Sequence, residues 1–105
     1  MLSDLINALQ ETGYQFAHFA WSHSPDGDYG TYAEESGEDF VADEIHAEKG
    51  TGGYINYFTR DDSGTPKSTI EAALNGLQIP WYLNTVQFEE DTGLIHYVWR
   101  FSVYG

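Results

Sequence analysis

The first residues of the chain place apolar side chains at helical spacing. Leu2, Leu5, Ile6 and Leu9 form one stripe, which predicts a helix over Ser3 to Thr12. Ser3 is placed to cap it, Asp4 suits the positive end of the helix dipole, and Gly13 ends the pattern. A helix this short is marginal alone and must dock on something. From Tyr14 to His23 the chain turns aromatic and poor in helix formers, which predicts a strand. Ser24-Pro25-Asp26-Gly27-Asp28 is a turn cluster, followed by a strand over Tyr29 to Glu35. Ser36-Gly37-Glu38 is a second turn, and Phe40 to His46 reads as an acid-rich third strand. Lys49-Gly50-Thr51-Gly52-Gly53 reads as a flexible loop before a fourth strand, Tyr54 to Thr59.

At Arg60 to Pro66 the element type changes. Thr65 is a candidate N-cap with Pro66 at the first helical position, where its missing N–H costs nothing. Ile70, Ala73, Leu74 and Leu77 give a second amphipathic stripe, ended by Gly76 and Pro80. The last quarter carries the clearest hairpin pattern: Trp81 to Phe88, a turn over Glu89 to Gly93, then Leu94 to Tyr104. Ile95, Tyr97, Trp99, Phe101 and Val103 alternate onto one face, the expected core face. The order α-β-β-β-β-α-β-β predicts an α+β fold: a single antiparallel or mixed β-sheet with two α-helices packed on one face.

Composition narrows what such a domain can do. At 105 residues one domain, spanning 1–105, is expected. With 41% hydrophobic and 16% aromatic residues the chain can bury a core. Its apolar runs are far shorter than the roughly 20 residues of a membrane span. Met1-Leu2-Ser3-Asp4 lacks the basic start of a secretory signal, so a cytosolic or assembled protein is expected. There is no Cys, so disulfides and thiolate chemistry are excluded. Lys and Arg number 4 against 17 Asp and Glu, a net charge of −13. Four cations neutralise few phosphates while the anions repel them, so gripping the outside of a nucleic acid is disfavoured.

Candidate chemistry is sparse. His18 and His23 are five apart and Glu44 and His46 two apart, but nothing in the sequence joins the pairs into a three-ligand zinc site. Asp26-Gly27-Asp28-Tyr29-Gly30 resembles the start of a calcium loop, yet loop positions 6 and 12 fall on Thr31 and Gly37, where a Gly and a bidentate acid are needed. No nucleophile elbow, P-loop or metalloprotease motif is present. No catalytic residues, cofactor or metal are therefore expected, and an enzyme acting on a small carbohydrate or nucleotide has only scattered His and acids behind it.

Charge and aromatic patterning say more. Glu34, Glu35, Glu38, Asp39, Asp43, Glu44 and Glu48 place seven of the 17 acids within fifteen residues. Such a run is either a solvated sheet edge, where charge prevents edge pairing, or a surface whose repulsion of phosphate matters. Tyr54, Tyr57, Phe58, Trp81 and Tyr82 put large apolar groups on both faces of neighbouring strands. Two helices cannot cover both faces, so these five are the candidate subunit interface.

Several segments resemble a known family. Tyr57-Phe58-Thr59-Arg60-Asp61-Asp62, the helix Thr69 to Leu74, and Thr85 to Tyr97 are similar to the C-terminal half of small phage and prophage proteins of the neck or tail-completion group, in particular tail terminators of long-tailed phages. The N-terminal helix followed by a strand, and the element order, are similar as well. The likeness covers most of the chain in pattern and the second half in wording. It implies a virion structural protein at the head–tail junction, made in the host cytoplasm. It further implies a homo-oligomeric ring, typically a hexamer, seated on the last ring of tail tube protein. Such a ring stops tube polymerisation and docks the head-side connector (stopper) protein, while DNA passes through a channel that is often acidic. The acidic segment from Glu34 to Glu48 would then face the channel. Two other readings stay open: a different neck ring, such as a stopper or head-completion protein, and an acidic DNA mimic that inhibits a host DNA-binding protein.

Overall fold

A computed structural model describes residues 2–21, 27–35 and 50–104. The described elements run α1 (Leu2–Glu11), β1 (Phe16–His18), β2 (Tyr29–Glu34), β3 (Gly50–Thr59), α2 (Thr65–Leu77), β4 (Trp81–Glu89) and β5 (Leu94–Tyr104). The strands form one five-stranded sheet in the order β1-β2-β3-β5-β4. β1 runs parallel to β2 and every other pairing is antiparallel. The sheet is thus mixed and the fold α+β. The expected strand over Phe40 to His46 lies outside the described residues.

Period-2 alternation in β3 and β5 sets the core. Ile55, Tyr57 and Thr59 share a face with their register partners Trp99, Tyr97 and Ile95. Both helices pack on that face: Leu5 and Leu9 of α1 and Ile70 and Leu74 of α2 are fully buried in one cluster with Tyr57, Trp99, Phe101 and Val103. Each helix contributes an i, i+4 pair, the spacing that presents two side chains to one neighbour. Trp99 ties the layers together, because its indole N–H donates to Glu71 Oε2 of α2 at 2.9 Å. Lys67 Nζ donates to the other oxygen of the same carboxylate at 3.1 Å.

Turn chemistry accounts for most boundaries, and it corrects several expectations. α1 already includes Ser3 in its first turn rather than using it as a cap. It ends where Thr12 Oγ1 donates to the Leu9 carbonyl and Gly13 takes a φ of 84°. α2 is preceded by Gly64 at φ 89°, so Gly64 and not Thr65 is the N-cap, and Pro66 sits one place further in. The helix runs through Gly76 and stops at Gln78, which is left-handed. The Lys49 to Gly53 loop is also revised, since Gly50 to Gly53 continue β3 and pair with Tyr104 to Phe101. At Gly53 the missing side chain is what lets the Phe101 ring and the β2 backbone close in, as glycine within a strand often signals.

The strand expected over Tyr14 to His23 shortens to Phe16–His18. Phe19 takes a φ of 69°, and the Ala20 N–H donates to the His18 carbonyl around it. This is a three-residue turn in its strained form, and it breaks the extended chain. At the other end of β2, buried Thr59 donates through Oγ1 to Asp28 Oδ2 at 2.6 Å and accepts the Asp61 N–H at 2.9 Å. That one hydroxyl joins the start of β2 to the end of β3.

Candidate functional site

The sheet has one helix-covered face and one that no described helix covers. On the latter, register places Tyr29, Phe58 and His96 side by side across three strands. Their rings stack, with centroids 4.8 Å apart for Tyr29 and Phe58 and 4.1 Å for Phe58 and His96. Beneath this row Asn56 Nδ2 donates to Thr31 Oγ1 at 3.3 Å, while its Oδ1 lies 2.8 Å from His96 Nε2. The imidazole therefore donates from Nε2, leaving Nδ1 facing Glu89 at 3.9 Å. Burial holds the His96 pKa below its ordinary 6.5, against a smaller upward pull from Glu89.

That depression has a directional consequence. Between the folded value and 6.5 the unfolded chain binds the extra proton, so the contribution of His96 to stability is complete above 6.5 and is lost as pH falls through the lower folded value. The His96→Gln variant is expected to show a shallower loss of urea-midpoint stability below pH 6.5 than the parent. Equal slopes for the two would contradict this placement of the charge.

The two described acids of the run both have partners. Glu34 carboxylate meets His18 Nε2 at 2.7 Å, and that hydrogen bond holds the Glu34 pKa below the usual carboxylate range. Glu35 pairs with Arg100, whose guanidinium also lies 5.9 Å over the Tyr54 ring. Two acids of the run are thus engaged within the chain. Glu38, Asp39, Asp43, Glu44 and Glu48 lie outside the described residues, as do His23 and His46. Among the described residues no three metal-ligating side chains converge.

The five interface candidates separate by face. Tyr54 and Phe58 are half-buried on the face without helices, and Tyr82 is exposed there. Trp81 is partly buried against the core, and its indole N–H donates to Asn75 Oδ1 at 3.0 Å. Tyr57 is corrected: at 1% exposure it is core, with its ring 5.3 Å from Tyr14 and 5.6 Å from Phe16. Burial also pushes its phenol pKa up. It offers nothing to a second subunit in this fold.

Of the four large apolar groups that stand exposed among the described residues, sequence reasoning named Tyr82 and missed the other three. Val86 is 51% and Phe88 64% exposed, both on edge strand β4, and Phe19 is 61% exposed just beyond β1. A register shift between Leu83 and Thr85 sets Asn84 aside, so Val86 and Phe88 lie opposite Tyr97 and Ile95 on the helix-side face. There the described helices do not reach them. The signal was present as a parity change, with odd positions Trp81 and Leu83 giving way to even positions Val86 and Phe88. A β-bulge produces such a change.

Two concavities flank these features. One of about 310 Å³ is lined by Pro80, Trp81, Tyr82, Arg100, Phe101 and Ser102. The other, about 400 Å³, lies between the helices and is walled by small residues such as Ala8, Ala72 and Gly76. Neither gathers a nucleophile with a base. The chain matches no protein-family model and no curated protein. No described helix is long and apolar enough to cross a membrane. The features that remain are an acidic chain and an edge strand, β4, that carries no charge up to Phe88 and exposes Tyr82, Val86 and Phe88.

Proposed function

We propose that this protein is a phage tail terminator or closely related neck component, acting as a homo-oligomeric ring, typically hexameric, at the head–tail junction of the virion. The observation that supports it best is β4. Natural edge strands are usually blunted by charge, yet Trp81 to Phe88 carries none in a chain of −13, and Val86 and Phe88 stand exposed on it. Such a surface calls for a partner. In this reading the ring caps the tail tube protein and docks the head-side connector, and its acidic surface repels DNA sliding through the channel. Glu34 and Glu35, held by His18 and Arg100, then support the channel wall, while the rest of the run supplies its charge.

The test is genetic and visual. A phage lacking this chain is expected to make overlong or unjoined tails, and electron microscopy of complete particles is expected to place the chain at the junction. Normal tails beside leaking heads would replace the terminator reading with a stopper or head-completion protein. The net charge favours one reading of another class, a DNA mimic. A monomer or dimer captured by a basic host protein, with steep salt dependence and no place in the particle, would establish that reading instead.

A further inference from the structure

The exposed apolar groups are not scattered. Phe19 lies at the β1 edge, and Val86 and Phe88 lie on β4, the opposite edge of the same sheet. The charge pattern coincides with this placement. The two longest stretches without Asp, Glu, Lys or Arg are Ala72 to Phe88, seventeen residues, and Thr12 to Pro25, fourteen residues. The first contains β4 up to its last residue and the second contains all of β1. In an otherwise acidic chain, β1 and β4 up to Phe88 thus carry no Asp, Glu, Lys or Arg of their own; the described acids next to them include Glu34, paired with His18, and the Glu89 to Asp91 turn.

We infer that the two edges dock on each other between copies, β4 of one chain against the β1 edge of the next, with Phe88 and Val86 meeting Phe19. The inference rests on the ring reading for its occupant, a second copy of this chain. Charge argues for that occupant independently. Two chains of −13 repel wherever their acids face, and they meet at least cost where both surfaces are neutral. A basic partner would be drawn to the acidic surface and gain nothing from these edges.

Backbone geometry supports the β1 side. Phe19 holds a φ of 69°, a conformation costly for a bulky side chain. The turn is fixed by the Phe19 N–H to the Tyr32 carbonyl at 2.8 Å and by the stack of its ring on His18, with centroids 4.2 Å apart. The strained turn presents an aromatic ring to solvent at the end of the edge. β1 has only three residues, so side-chain contact carries more of the joint there than strand pairing. Because the two patches differ, the contact is head-to-tail, the geometry that generates rings when the rotation closes.

The absence of native Cys makes the test clean. The full-length variants Phe19→Cys and Phe88→Cys, mixed and oxidised, are expected to give a cross-linked heterodimer, whereas either alone gives little. In sedimentation, Phe19→Glu and Phe88→Glu are each expected to weaken self-association about tenfold or more. An equal mixture of the two should stop at dimers, because each chain keeps one working edge. Val86→Lys serves as a second variant of the β4 edge, and circular dichroism checks that each variant remains folded. A cross-link from Phe88→Cys alone, with Phe19→Glu silent, would overturn the head-to-tail joint in favour of a symmetric one. Assembly unchanged by every edge variant would overturn the surface while leaving the ring reading intact. A parent chain that stays monomeric and gives no mixed cross-link would also overturn the inference, and the position of the chain in particles decides the ring reading separately.

Discussion

Replacing Trp99 with Ala is expected to cost about 3–5 kcal/mol of folding stability. Trp99 is fully buried and stands first in volume among the fully buried side chains. Its removal opens a cavity between β5 and both helices, and the neighbours are already packed to close contact. It also removes the N–H that Glu71 accepts, leaving a largely buried carboxylate with Lys67 alone. A domain of this size has roughly 5–15 kcal/mol in total, so the variant is expected to be substantially unfolded near its parent's thermal midpoint. Trp99→Phe separates the two causes, because it keeps most of the volume and loses the donor, at about 1–3 kcal/mol. Urea denaturation monitored by circular dichroism reads both. A Trp99→Ala loss below about 1 kcal/mol would mean that this side chain does not join the layers.

Gly53→Ala is expected to be the second large effect, at roughly 3 kcal/mol, although it adds one methyl group. A Cβ built at Gly53 runs into the Ala33 carbonyl oxygen, meets the Phe101 ring at 2.7 Å and the Glu34 Cα at 3.0 Å. Two of these three are backbone atoms of the neighbouring strand and cannot rotate away. Relief requires β2 to move off β3, which loosens the His18–Glu34 and Arg100–Glu35 pairs as well. Gly76→Ala provides the contrast. Nothing lies within 4 Å of the added carbon there, and the residue is inside α2. That variant is expected to gain about 0.5–1 kcal/mol from helix propensity. Thermal midpoints moving down for Gly53→Ala and up for Gly76→Ala would confirm the pairing of β2 with β3. Equal shifts would contradict it.

Both effects show how local pattern and tertiary placement divide the problem. The stripe Leu5 and Leu9, the stripe Ile70 and Leu74, and the alternation from Ile95 to Val103 are legible because helices and strands have fixed periods, and burial follows the period. The terminal hairpin is legible for the same reason. Gly53 was misread as part of a loop, because a glycine inside a strand and a glycine inside a turn look alike until a neighbour is seen filling the missing side chain's space. Tyr57 was misread as surface, because a tyrosine in a strand has no pattern of its own to tell core from interface. Its face is set by register against Tyr97 and Gly30.

The candidate assembly surface divides in the same way. Its neutrality was present in the sequence as two uncharged stretches within a chain of −13. That they lie at opposite edges of one sheet depends on the strand order β1-β2-β3-β5-β4. Strand order is a long-range property, set by which pairings bury the most apolar surface together, and periodicity along the chain carries no record of it. The sequence by itself determined an acidic α+β domain with two amphipathic helices and a core-forming hairpin. Only the tertiary structure decided which aromatics became core, which acids were already paired, and which apolar groups were left at the edges, because a bulge at Asn84 turns Val86 and Phe88 to the helix side on an edge strand that the described helices do not cover, and a strained turn at Phe19 leaves its ring in solvent.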